Sequence, residues 1–167
     1  MILDTLRMQL RPLQPDDALH FFRLNADPRV LQYTGDEPFR DEAAARQYLD
    51  GYDQFTRFRM GRMAMIRKED EAWLGWCGLR MDAQTGDVDL GFRIFRQYWG
   101  KGYATEAAQA SVKYGWFIGL QGIIGRAVLD NSTSIRVLEK VGMNKIANMD
   151  FHGLPGVVYE VLRPGAQ

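Results

Sequence analysis

The sequence predicts an α+β layer structure around a mixed sheet, and three observations carry that expectation. Helical patterning dominates the chain from Asp16 to Phe55. Alternating apolar runs separated by short turns follow from Met63 to Phe95, the mark of paired strands. Two strand-then-helix units come next, and further strand patterns close the chain.

Taken in order, the elements begin with a strand at Met8 to Leu13. Helix-start signals then set a helix over Asp16 to Asn25, a short one over Pro28 to Gln32 and a longer one over about Asp41 to Phe55. Met63 to Arg67 and Ala72 to Met81 form an antiparallel pair turning at Lys68-Glu69-Asp70-Glu71. Gly86-Asp87 turns into a strand at Val88 to Phe95. Tyr103 to Ile118 carries small or apolar residues at Ala104, Ala107, Ala108, Ser111, Val112 and Gly115, which is a helix with one packed face. A strand at Ile123 to Leu129 follows, then a helical segment from Asn131. Strands at Lys145 to Met149 and Val157 to Leu162 flank the loop His152-Gly153-Leu154-Pro155-Gly156.

At 167 residues the chain is the size of one domain, and a single domain over 1–167 is the expectation. Only the tail Arg163-Pro164-Gly165-Ala166-Gln167 is expected to fray. Lys plus Arg equals Asp plus Glu at 21 each, so no global field draws in nucleic acid or anionic lipid. Cys77 is alone, which excludes an intrachain disulfide and favours a reducing compartment. No apolar run is long enough to span a bilayer, and the start lacks a signal-peptide plan, so a cytoplasmic location is expected. His20 and His152 stand far apart in sequence without cysteine neighbours, so no metal site is expected.

The most informative stretch is Gln97-Tyr98-Trp99-Gly100-Lys101-Gly102-Tyr103-Ala104, between a strand and a helix. Such a turn points several backbone N–H groups at one spot, and the helix dipole adds about half a positive charge there. Gly100 and Gly102 can take positive φ and let an anion approach the main chain. A Rossmann fingerprint needs glycine or alanine where Thr105 stands. A Walker A loop needs Ser or Thr after its lysine, whereas Gly102 follows Lys101. The pattern that fits is Q/R-x-x-G-x-G/A, filled by Gln97, Gly100 and Gly102.

That pattern resembles the coenzyme A loop of GNAT-superfamily N-acetyltransferases, and the rest of the chain extends the resemblance. Asn131 to Met143 is similar to the family's N-x-x-S-x-x-x-L-E-K-x-G-F segment, with Met143 in place of the aromatic. Asn25-Ala26-Asp27-Pro28-Arg29-Val30 and Glu42-Ala43-Ala44 resemble the N-terminal helices of the branch that acetylates ribosomal-protein N-termini. The resemblance implies the GNAT fold, a mixed, mostly antiparallel sheet with splayed parallel strands between helices. It also implies acetyl-CoA as co-substrate, an amine as acceptor and, since family members are often dimers, a homodimer.

Direct acetyl transfer needs an anchored acyl carrier, a neutral amine, an oxyanion donor and a proton for the leaving thiolate. Anchoring falls to the N–H groups of Gly100 to Ala104, including Lys101, Gly102 and Tyr103, with Gln97 and Arg96 as further donors. The resemblance lays the pantetheine arm along Phe92, Arg93, Ile94 and onward to Arg96, where a main-chain N–H polarises the thioester carbonyl. Asp89 is the candidate base, with Asp87 on the same face by strand alternation; the alternative reading is a pair of solvated strand-edge carboxylates. The family's acid tyrosine is absent, because Leu138 occupies its position. Ser134 matches the substitute acid of the ribosomal-protein branch, and Asn131 matches a coenzyme partner; both also read as residues that satisfy a helix start. A covalent acetyl-enzyme is disfavoured, since Cys77 has no histidine nearby in sequence to activate it.

Three functional readings follow. A peptide N-terminus is the first, with Asp36, Glu37 and Asp150 on variable loops to attract it. A small amine such as a polyamine, amino acid or antibiotic is the second. The third, kept open by Leu138, is a non-catalytic acyl-CoA-binding module.

Overall fold

The chain runs through β1 (Leu3–Asp4), β2 (Met8–Pro12), a 3-10 turn at Pro15–Asp17, α1 (Ala18–Leu24), α2 (Pro28–Leu31), α3 (Glu42–Asp50), α4 (Gln54–Phe58), β3 (Arg62–Arg67), β4 (Trp73–Met81) and β5 (Val88–Ile94). A second 3-10 turn, Arg96–Tyr98, leads to α5 (Tyr103–Phe117), β6 (Gly122–Val128), α6 (Ser132–Lys140), β7 (Asn144–Phe151) and β8 (Leu154–Leu162). This computed structural model describes residues 1–165; Ala166 and Gln167, the end of the tail expected to fray, lie outside the described residues.

The strands form one open sheet in the order β1-β2-β3-β4-β5-β6-β8-β7. Every neighbouring pair is antiparallel except β5 with β6, which is parallel and registered only at Asp89↔Ile124. Past that point the two strands diverge. β6 is instead held by β8 from Gly122↔Leu162 to Val128↔Gly156. The sheet is therefore the splayed, mixed sheet that the resemblance implied.

Strand alternation divides the core in two, and a bulge where the β3–β4 register shifts between Met65 and Ile66 resets the alternation at Gly75. Leu74, Cys77 and Leu79 of β4 join Ala107, Ala108 and Val112 of α5 on one face. On the other face Trp73 and Trp76 pack with Ala64, Phe21, Ala45 and Leu49 of β3, α1 and α3. Gly115 lets α5 come close, since a Cβ there would lie 2.7 Å from Ile123 Cδ1.

Four elements differ from the sequence expectation, each for a local reason. The helix expected from Asp41 to Phe55 is two helices, capped at Gly51 and resumed at Gln54. Tyr52 leaves the helical path, and its hydroxyl accepts the N–H of Arg62 at 2.8 Å, satisfying the start of β3. β5 ends at Ile94 instead of Phe95, because Phe95 opens the 3-10 turn while its N–H still reaches Leu74 at 2.9 Å. The five-residue loop expected at His152 to Gly156 is a two-residue turn, with His152 and Gly153 at φ 52° and 86°. Positive φ at both positions matches the twist of a tight hairpin, so β7 and β8 extend almost to the tip. β1, only two residues long, carries too little pattern to read.

Candidate active site

The divergence of β5 and β6 opens a cleft with a cavity on each side. One, of about 570 Å³, lies against the start of α5, and the other, of about 830 Å³, lies over the sheet face opposite α5. Tyr33, Thr34, Phe92, Arg93, Asn131 and Ser134 line both, so the cavities meet at a throat between the splayed strands.

The smaller cavity is walled by main chain. Gly100 and Gly102 have φ of 75° and 81°, conformations that strain any residue with a Cβ. A Cβ at Gly100 would meet no atom within 4 Å, so this surface is open for a ligand. α5 has no side-chain N-cap, and its first helical bond is Glu106 N–H to the Gly102 carbonyl at 3.1 Å. The N–H groups of Tyr103, Ala104 and Thr105 therefore have no helical acceptor, and they sit at the positive end of a 15-residue helix. These residues fit a pyrophosphate. Arg29, Arg136 and Lys140 add cations to the same cavity.

Behind the loop stands a prop that sequence reasoning missed. The Arg7 guanidinium donates to Glu106 Oε1 and to the Lys101 carbonyl, each at 2.9 Å, and lies 4.2 Å from the centre of the Tyr103 ring. Thr5 Oγ1 and the Arg7 N–H donate to the other Glu106 oxygen at 2.8 and 3.0 Å. Desolvation raises the Glu106 carboxyl, but the hydrogen bonds from Arg7 and Thr5 outweigh it and leave it lowered. By holding the Lys101 carbonyl from behind, Arg7 fixes the loop's orientation.

Of the expected coenzyme residues, Phe92, Arg93, Ile94, Gly100, Gly102, Tyr103, Ala104 and Asn131 line this cavity, whereas Arg96, Gln97 and Lys101 do not. Arg96 instead meets Asp27 at 3.3 Å and ties α2 to the loop. The Arg93 side chain is committed to Asn25 and Asp36, each at 2.8 Å, so its contribution to the cleft is backbone. Strand alternation, which sends the Phe95 N–H to β4, turns the main-chain groups of Phe92 and Ile94 toward the cleft. The Trp99 indole N–H donates to the Ile94 carbonyl at 2.8 Å.

At the throat, Asn131 caps α6, its side chain accepting the Ser134 N–H at 3.3 Å. The Ser134 hydroxyl has no hydrogen-bond partner among the described residues and lines both cavities. Tyr33, also shared by both, carried no motif that would have singled it out. Leu138, at the position of the absent tyrosine, is buried against Gly125.

The larger cavity is walled by side chains. Asp89, Gly91 and Arg93 alternate along β5 on this face. Asp89 is 9% exposed, and its carboxylate receives Arg62 at 3.2 Å, Arg80 at 3.2 Å and Arg126 at 3.1 Å. It is thus neither a solvated edge carboxylate nor an unoccupied one. Arg62 reaches it by lying across the paired glycines Gly78 and Gly91; a Cβ at Gly91 would come 2.7 Å from the guanidinium. Of the three acids expected on the loops, Asp36 is bound to Arg93 and Asp150 accepts the Gly153 N–H at 3.1 Å, while Glu37 is exposed.

Burial pushes the Cys77 thiol up to about 11, and it packs beside Ser111 on the α5 face, away from the larger cavity. His20 stacks on Trp73 at 5.2 Å, and the His152 ring covers Gly35, joining the β7–β8 tip to the loop after α2.

Residues 7–144 match the family model described as an acetyltransferase (GNAT) domain. The chain belongs to the GNAT family. It is 31% identical over 146 residues to an uncharacterized N-acetyltransferase, p20, of Bacillus licheniformis, covering 86% of this chain and 82% of that protein. It is 24% identical to an FsC-acetyl coenzyme A-N(2)-transacetylase of Aspergillus fumigatus, covering 86% of this chain and 65% of that protein. In fold it is similar to a GNAT acetyltransferase of Bacillus anthracis, at TM-score 0.82 and 23% identity over 97% and 98% of the two chains. A ribosomal L7/L12 alpha-N-protein acetyltransferase in complex with coenzyme A gives TM-score 0.82 at 13% identity, again over 97% and 98%. The protein is an N-acetyltransferase, and GNAT acetyltransferases use acetyl-CoA.

Proposed function

We propose that this GNAT enzyme transfers acetyl from acetyl-CoA directly to the α-amino group of a peptide or protein N-terminus. The single observation that carries this reading is the pair of cavities meeting at one throat, a main-chain anion cradle on one side and a roomy acceptor chamber on the other. A chamber of about 830 Å³ takes several residues of an extended chain, far more than a small amine fills.

In the reaction the amine nitrogen attacks the thioester carbonyl, a C–N bond forms, the C–S bond breaks, the ammonium proton passes to water and the thiolate takes a proton. The Phe92 and Ile94 main chain faces the carbonyl and stabilises the oxyanion without reorganisation. An α-amino group has an unperturbed pKa of about 7.7 to 8.0, which leaves an appreciable neutral fraction near neutral pH, and Asp36, the acid beside the throat, is spent on Arg93. The chamber thus supplies neutral amine without a dedicated carboxylate, and Asp89 becomes a positioning residue for its three arginines. The Ser134 hydroxyl gives its proton to the thiolate and regains one from water; Tyr33 lines the same throat.

Thiol release from acetyl-CoA should be measured with short peptides beginning Ser or Ala and with spermidine. The expected result is a higher kcat/KM for at least one peptide. Turnover of spermidine alone would end the N-terminus reading and leave the acetyltransferase assignment standing.

A further inference from the structure

The larger cavity is neutral in count but divided in charge. Its acids Asp36, Glu37 and Asp150 stand on the loops that roof it, while Arg62, Arg80 and Arg126 converge from β3, β4 and β6 on the one carboxylate of Asp89. One carboxylate cannot accept from every N–H of three guanidiniums. Asp87, 3.8 Å from Arg126 and half exposed, and Asp82, whose carboxylate accepts the N–H groups of Gln84 and Thr85, offset charge at the cavity's edge but take no hydrogen bond from these arginines among the described residues. Among the described residues Arg80 makes a single hydrogen bond, to Asp89, and Arg126 likewise, so each guanidinium keeps four of its five N–H donors. Trp76 Nε1 and Arg93 Nε, on the same wall, are buried donors with no partner among the described residues.

Building on the acceptor reading above, we propose that Arg80 and Arg126, held in place by Asp89, receive an anionic group of the acceptor. The acceptor class is then a peptide N-terminus with an acidic side chain early in its sequence. Length selects this class. Asp89 and the throat residue Phe92 are three positions apart on β5, about 10 Å at roughly 3.3 Å per residue. The amine and carboxylate of a free α-amino acid share one carbon and cannot span that gap. An extended peptide advances about 3.3 to 3.6 Å per residue, so an Asp or Glu at its second or third position reaches the arginines while the amine sits in the throat. Asp36, paired with Arg93 at the throat, stands on the ammonium side.

Two matched pairs test this: a hexapeptide beginning Ser-Ile-Asp against its Ser-Ile-Asn twin, and 8-aminooctanoate against 8-aminooctanamide. The charged peptide should show a kcat/KM about tenfold or more above its twin, carried by KM. Arg80→Gln and Arg126→Gln should each bring the ratio toward parity, and Arg80→Lys should restore part of it. Calorimetry with acetyl-CoA checks that the cofactor half is intact in each variant. Preference for 8-aminooctanoate with neither peptide acetylated would remove the peptide class and leave the anion receptor standing. Equal constants within both pairs, or preference for the neutral members, would overturn the receptor. If no acceptor turns over, the N-acetylated peptides are titrated onto CoA-loaded protein; tighter binding of the acidic one supports the receptor, and equal or absent binding overturns it.

Discussion

Between Trp99 and Thr105 the cleft wall is main chain, whereas between Arg62 and Arg126 it is side chain, and the two walls differ in what they can discriminate. Amide groups at the start of α5 offer the same donors whatever side chains they carry, so that wall suits a phosphate by geometry and dipole. Guanidiniums converging on Asp89 are a choice of residue at every position, so the opposite wall can select one acceptor over another. A common donor and a variable acceptor call for that division.

The largest effect expected from attacking the division is at Gly102. In Gly102→Asp a residue with a Cβ is forced to φ 81° and a negative charge faces the helix start. Acetyl-CoA affinity should fall by about a hundredfold or more, since charge-assisted bonds are replaced by repulsion. The new carboxylate lies near Arg7, with the Cβ 3.4 Å from its Nη2, so the fold survives. Calorimetry reads the affinity; a folded variant that binds normally would mean that the main-chain wall is not the cradle.

Asp89→Asn attacks the other wall. Three guanidiniums lose their shared carboxylate, and the loss of stability should be about 3 kcal/mol, the lower end for a buried pair because Arg80 is 50% exposed. Thermal or urea denaturation measures it. The accompanying loss of turnover should be equal at pH 6 and pH 9. A deficit concentrated at acidic pH would return Asp89 to proton transfer and blur the contrast between the walls.

The smallest effect concerns the prop. Glu106→Gln should weaken acetyl-CoA binding about fivefold through a less constrained loop, with little change in acceptor KM. In the wild type Glu106 is lowered from an ordinary 4.5, so its contribution is complete above that value and is lost only as pH falls through the lower folded value. Acetyl-CoA affinity that drifts between pH 8 and pH 6 would show that another group titrates at the loop.

The legibility of the two walls in the sequence follows from the same contrast. The glycine loop is written in consecutive residues, Gly100 to Ala104, with the strand and helix that frame it on either side, although Gln97 and Lys101 of the same stretch do not line the cavity. Asn131 and Ser134 were readable because they too share one short helix. Arg7 and Glu106, 99 positions apart, meet only when β1 and β2 pack against α5. The arginine cluster needs the registers of β3 with β4 and of β4 with β5, and nothing in a single chain states that Arg80 lies opposite Asp89. Asp89 was therefore visible as a carboxylate facing the site, while its occupants were not. The break between α3 and α4 escaped for the same reason, since Tyr52 answers to Arg62 and not to its helix.

The paired glycines Gly78 and Gly91 also govern how this protein can change over generations. The Arg62 guanidinium fills the space over Gly91, whereas Gly78 lets the main chain of Gly61 and Arg62 come close, so a side chain at Gly91 requires the loss of Arg62 while Gly78 is fixed by the strand pairing itself. Arg80, half exposed, carries no such constraint. Drift toward new acceptors has an open route through Arg80, while Gly91 can gain a side chain only after Arg62 has gone.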